Sequence, residues 1–102
     1  YPFKTSEEYV WFIALREREV VGFIPVEQKN RKKAVINNYY VKAEGAEREE
    51  ILSLLLPAVT AEFEPESWLL NSITLIQDKE IFEKFEFTSL DKKWTRYVKM
   101  YR

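Results

Sequence analysis

The residues of this chain able to do chemistry fall in three places. The first is an acidic run, Glu44, Glu47, Glu49 and Glu50, wrapped around Gly45 and Arg48. Carboxylates at that density can hold Ca²⁺ or Mg²⁺, but the alternating Asp-rich spacing of an EF-hand loop is missing. Acidic side chains also suit the start of a helix, where free N–H groups carry partial positive charge. We read the run that way and expect no metal. The second place is a basic turn over residues 29–33, read as a solvated hairpin tip. The third is Asn-Ser-Ile-Thr from Asn71, polar inside an apolar stretch and read as hydrogen-bonded core groups. Cys and His are both absent, which removes disulfides, thiolate nucleophiles, imidazole acid–base catalysis and ordinary zinc sites. Two Gly leave no phosphate loop of the Walker or Rossmann type. Ser53, Ser67, Ser72 and Ser89 have no base partner and no G-x-S-x-G context.

These groups need a scaffold, and 102 residues make one domain, 1–102. At 46% hydrophobic and 32% charged, the chain can bury a core and keep a polar surface. A formal charge of −1 gives no pull toward nucleic acid or anionic lipid. No apolar run approaches the roughly 20 residues that span a bilayer, and the start has no signal-peptide pattern. We therefore expect no membrane partner and a cytoplasmic location, which the lack of Cys also fits. Aromatic strands can stack bases as an RRM sheet does. The element order and the missing K/R-G-F/Y motif argue against it, so no nucleic-acid partner is expected. Core packing accounts for Trp11, Phe12, Phe23, Tyr39 and Trp68.

Residues 1–8 read as a loose lead-in. Residues 9–15, 20–28 and 33–42 read as strands joined by charged turns, an antiparallel meander. Pro25 inside the second strand implies a bulge or an unpaired donor site. Ile51, Leu52, Leu55, Val59 and Phe63 recur at helical spacing, and Pro57 should kink or break that helix. Residues 68–76 read as a buried strand, Asp78 as the cap of a short helix ending near Phe85, and residues 94–101 as a last strand. The order is β-β-β-α-β-α-β. The strands flanking the long helix should run parallel, because a helical crossover returns the chain in the same direction. The fold class is α+β, a mixed, mostly antiparallel sheet with helices on its faces.

Three phrases in this order carry a family resemblance. I-F-E-K-F-E-F from Ile81 resembles F-Y-E-K-x-G-F, the fourth helix and its exit in the GCN5-related N-acetyltransferases (GNAT). A-V-I-N-N-Y-Y-V from Ala34 resembles that family's fourth strand, A-x-I-x-x-L-x-V. Lys42-Ala-Glu-Gly-Ala-Glu stands where the family has its cofactor loop, R/Q-x-x-G-x-G/A. The match covers nearly the whole chain from the family's second strand onward. It departs in a Tyr replaced by Phe82, a Gly replaced by Glu86, and a small loop residue replaced by Glu47.

The resemblance implies an acyl-CoA N-acyltransferase domain that moves an acetyl or acyl group from acetyl-CoA to a small-molecule or peptide amine. In the family the cofactor lies where the fourth and fifth strands splay apart. The pantetheine contacts would then fall at Tyr40, Val41 and Lys42, and the pyrophosphate contacts at Gly45, Ala46 and Arg48. The family's basic Glu is missing from the fourth strand, which holds Asn37 and Asn38, so Glu27 on the preceding strand or a water on Asn37 would serve the amine. Tyr39, Tyr40 or Tyr97 would replace the missing acid. Ser72 and its neighbours would flank an acceptor. Residues 1–8 cannot supply the strand and two helices that wall the family's acceptor pocket. A longer chain, a minimal form or a homodimer would account for that. The same departures support an alternative: a catalytically silent binding or structural module with this fold.

Overall fold

The computed structural model describes residues 2–4, 8–91 and 96–100, with side chains over 8–88. Strands β1 (Pro2–Lys4), β2 (Tyr9–Arg16), β3 (Glu19–Lys29) and β4 (Lys33–Ile36) form an antiparallel meander. The short strand β5 (Tyr40–Val41) follows, then the long helix α1 (Gly45–Phe63) and strand β6 (Leu69–Ile73). Helix α2 (Lys79–Lys84) leads into a hairpin of β7 (Thr88–Asp91) and β8 (Arg96–Met100). The sheet order is β1-β2-β3-β4-β6-β8-β7, with β5 on β3. Among the described residues only β4 and β6, the strands bridged by α1, pair in parallel. The class is the one expected from the sequence: α+β, a mixed and mostly antiparallel sheet with two α-helices among the described residues. No helix there is long and apolar enough to cross a membrane.

Several expectations are corrected. The lead-in contains a strand, since Pro2–Lys4 pairs with β2. The strand read over residues 33–42 is broken after Ile36. The helix starts in the acidic run, at Gly45, as read, but runs through Pro57 without the expected break. Pro57 is exposed, so the carbonyl deprived of its N–H donor lies at the water side. Residues 76–78 form a 3₁₀ turn, not the end of a strand. The tail has the extra strand β7. Trp94, Thr95 and Tyr101 of the expected last strand lie outside the described residues.

Alternation divides the sheet. Val10, Phe12, Ile24, Val26, Ala34, Ile36 and Leu70 point to one face and are buried under α1 and α2. The helix contributes Ile51, Leu52, Leu55, Leu56, Val59 and Phe63 to that core. Gly22 lets α1 approach: a Cβ there would lie 3.0 Å from Ile51 Cγ2 and 3.1 Å from the Tyr40 carbonyl oxygen. The odd-numbered neighbours Tyr9, Trp11 and Phe23 point to the other face. Core packing therefore holds for Phe12 and Tyr39, while Trp11 and Phe23 stay half-buried on the face without helices.

The exit of α2 explains the family's glycine. Glu86 has φ of 70°, a left-handed conformation that favours glycine. Its N–H donates to the Glu83 carbonyl at 2.9 Å and the Phe87 N–H to the Phe82 carbonyl at 3.1 Å. That pair of bonds is a Schellman closure. Glu86→Gly should therefore be more stable than Glu86→Ala by about 1 kcal/mol, since only glycine relieves the left-handed backbone. Urea unfolding of the two variants measures this, and equal midpoints would show that the turn is unstrained.

Candidate functional site

The break in the fourth strand organises the site. Ile36 pairs with Val26 and with Ser72, but Tyr40 pairs with Phe23. Three residues, 37–39, therefore face the two residues Ile24 and Pro25. This is a bulge, and Pro25, which has no N–H to offer, sits opposite it. Asn38 takes φ of 60°, which Asn tolerates better than most residues. Past the bulge, β5 stays on β3 while β6 pairs no further than β4. The Lys42 N–H donates to the Val21 carbonyl at 2.8 Å. In an antiparallel ladder this turns the N–H and C=O of Val41 away from β3, into the gap beside β6.

One edge of that gap is closed by a buried polar network. The Tyr39 hydroxyl donates to Asp78 Oδ2 at 2.5 Å and accepts from the Leu75 N–H at 3.0 Å. Arg48 Nε donates to Asp78 Oδ1 at 2.6 Å and its Nη2 to Oδ2 at 2.8 Å. Arg48 Nη1 donates to the carbonyls of Val41, at 3.3 Å, and Ala43, at 3.2 Å. Arg48, Tyr39 and Asp78 are all buried. The network ties β5 to the start of α1 and to the segment between β6 and α2. Asp78 is thus not the side-chain cap expected of it; its carboxylate makes no cap bond to α2 and holds Arg48 and Tyr39 instead.

Burial, then the bond to Asp78, push the Tyr39 phenol well above its ordinary range. Unfolded, it ionises near pH 10. Its stabilising contribution is therefore full below about pH 10 and falls as pH rises beyond that, because only the unfolded chain then releases the proton. Unfolding free energy should decline more steeply for the wild type than for Tyr39→Phe from about pH 10 to 12. Parallel urea-melt series over that range would mean that the phenol ionises equally easily in both states.

Two cavities flank the break. One, of about 360 Å³, lies between the starts of α1 and α2 and includes Gly45, Ala46 and Arg48. Its charged lining is four carboxylates, Glu44, Glu49, Asp78 and Glu80, against the one guanidinium. The rest of the acidic run turns elsewhere: Glu47 and Glu50 meet Arg16 at 2.7 and 3.7 Å. Gly45 has φ of 60° with open space where a side chain would stand. The other cavity, of about 440 Å³, is on the helix-free face and is lined by Tyr9, Trp11, Phe23, Glu27, Asn37 and Asn38, among others.

The expected site residues therefore separate. Glu27 and Asn37 share the second cavity. Gly45, Ala46 and Arg48 share the first, with Arg48 already committed to Asp78 and two carbonyls. Val41 faces the gap. Tyr40 is half-exposed and packs against Phe23, ring centroids 5.6 Å apart. The Lys42 ammonium pairs with Glu19. Tyr39 belongs to the buried network, and the side chain of Tyr97 lies outside the described residues. Ser72 is buried and shares a hydrogen bond with Thr74 at 2.7 Å. The sequence reading missed Asp78 as a hub. Its partners lie 30 and 39 positions away, beyond any local pattern.

No family model and no curated protein matches the chain. Solved structures do. An aminoglycoside 6'-acetyltransferase type Ii aligns with a TM-score of 0.70 at 17% identity, over 93% of this chain and 70% of the other. The aminoglycoside 6'-N-acetyltransferase from Enterococcus faecium gives 0.72 at 12% identity, over 94% and 76%. An acetyltransferase of the GNAT family from Staphylococcus aureus Mu50 gives 0.75 at 13% identity, over 92% and 68%. At these identities the likeness is one of fold, and the fold of this chain is that of the GNAT acyltransferases.

Proposed function

We propose that this domain transfers an acyl group, acetyl in the simplest case, from acyl-CoA to the nitrogen of a small-molecule or peptide amine. One observation carries the reading: Val41 turns its N–H into a gap left by the divergence of β6. An extended amide-bearing arm can add there as a strand would. Tyr40 and Lys42 would flank that arm. The pyrophosphate would lie on the first-turn amides at Gly45 and Ala46, where a helix offers free donors. Acetyl-CoA supplies the activated thioester. Glu27, or water held by Asn37, would accept the proton of the attacking amine from the other face of the bulge. Tyr39 acts here as a positioning group, because its own proton is directed to Asp78.

The fit is good in hydrogen-bond donors and poor in charge. Glu44, Glu49 and Glu80 line the cavity where a pyrophosphate would rest, and like charges repel. That lining favours a second reading, a silent module that keeps the fold without the cofactor.

Thermal unfolding with and without acetyl-CoA separates the two. A ligand selective for the folded state raises the midpoint, by the equivalent of about 2.7 kcal/mol at a hundredfold excess over Kd. A shift accompanied by an acylated amine in mass spectra supports transfer. A shift without product supports cofactor binding alone, and no shift at millimolar acetyl-CoA removes the acyltransferase reading.

A further inference from the structure

The cavity on the helix-free face has a composition that names its ligand. We infer that it seats a singly charged amine carrying an aromatic or bulky apolar group. The inference deepens the acyltransferase reading by specifying the acceptor, and rests on that reading only for the amine's chemical fate.

The volume of about 440 Å³ lies in the range of small-ligand sites. Three rings, Tyr9, Trp11 and Phe23, line it, together with one carboxylate, Glu27. The register explains this grouping. Tyr9 is directly opposite Glu27, and Trp11 is opposite Pro25, two residues from both Phe23 and Glu27 on β3. All five side chains therefore share one face. Trp11 and Phe23 meet with centroids 5.5 Å apart, and Phe23 continues to Tyr40. The result is an aromatic strip with a carboxylate at one end.

An ammonium group suits that end. Glu27 attracts it in competition with Lys29, whose exposed ammonium pairs with the carboxylate at 3.9 Å and is displaceable at little cost. The ring faces add cation–π attraction, and the strip covers an attached apolar group. Asn37 and Asn38 give the cavity hydrogen-bonding amides at the bulge, where β5 passes to the acyl side. A polycation such as an aminoglycoside would bring several ammonium groups to one carboxylate and leave the others against aromatic walls. Cation–π attraction to the rings offsets only part of the cost of desolvating ammonium groups that have no carboxylate.

Isothermal titration of the full chain with phenethylamine, and separately with kanamycin, tests this, each in the presence and absence of acetyl-CoA. Phenethylamine should bind more tightly than kanamycin. Glu27→Gln should weaken phenethylamine about tenfold, as expected for loss of a charge-assisted contact. Phe23→Leu should weaken it as well, and the remote Glu62→Gln should leave it unchanged. Thermal midpoints of the variants confirm folding.

Tighter binding of kanamycin, or a Glu27→Gln variant that binds phenethylamine as the wild type does, overturns the inference. If acetyl-CoA binds and neither amine does, the inference falls and the acyltransferase reading stands. If phenethylamine binds as described and acetyl-CoA does not bind, the amine site stands and the acyltransferase reading falls.

Discussion

Replacing Asp78 with Ala is expected to destabilise the folded chain by about 3–5 kcal/mol, the usual effect of stranding one partner of a buried ion pair. Arg48 is 7% exposed and Asp78 2%, so water from the cavity they line and the exposed Glu44, 4.0 Å from the guanidinium, replace the missing carboxylate only in part. Against a total stability of roughly 5–15 kcal/mol for a domain, the loss would leave little margin. Urea unfolding measures it. A second substitution checks the cause. Adding Arg48→Met to Asp78→Ala removes the stranded cation and should recover part of the loss. Recovery stays incomplete, because the carbonyls of Val41 and Ala43 lose their donor with the guanidinium. A loss below about 1 kcal/mol for Asp78→Ala would place the pair among solvated surface bridges.

The same network marks the limit of what the sequence discloses. Ile51, Leu52, Leu55, Val59 and Phe63 are spaced as one helix face, and all five are buried. Local periodicity was enough for them, as it was for β2 and β3. The start of α1 at Gly45 is legible from the acidic run and not from periodicity, which residues 45–50 do not carry. Residues 39–41 have the β-branched and aromatic character of a strand, so the fourth strand reads as continuous. Its break depends on Asn38 adopting a left-handed turn and on β6 leaving β4, and the second is a tertiary event. Strand β1 is three residues long and exists only by pairing with β2. The parallel β4–β6 pair followed from chain topology alone. The gap at Val41 did not: the strands part after Ile36 and Ser72.

The candidate site divides in the same way. Glu27 and Asn37, proposed for the acceptor side, follow from the family resemblance, and both line one cavity beside the bulge. The aromatic lining was misassigned to the core because the sequence does not show which face the helices cover. Trp11 and Phe12 are adjacent and equally apolar; only the covered face distinguishes them. Arg48 looked like a phosphate ligand because it follows Gly45 at a helix start. Its long side chain instead turns inward, toward a carboxylate 30 residues away.

Truncating Phe82 to Ala should cost about 3–5 kcal/mol, the range for removing a fully buried aromatic ring. Its side chain is fully buried. The ring packs against Tyr39, centroids 5.5 Å apart, and edge-on against Phe87 at 5.3 Å. Phe82 therefore supports the phenol that ties β5 to the end of β6, and the two residues should not act independently. A double-mutant cycle of Phe82→Leu with Tyr39→Leu should give a coupling of about 0.5–1.5 kcal/mol. Zero coupling would mean that the network stands without the ring beneath it. Phe82 also occupies the place where the family resemblance has a tyrosine, so Phe82→Tyr asks whether a hydroxyl there would serve the proposed transfer. A hydroxyl added at a site without solvent costs about 1–3 kcal/mol unless it finds a partner. Asp78, the acceptor that holds the neighbouring Tyr39 hydroxyl, already accepts three hydrogen bonds. The variant should thus be less stable than the wild type and no faster in acyl transfer. A faster and equally stable Phe82→Tyr would instead show that position 82 reaches the gap at Val41.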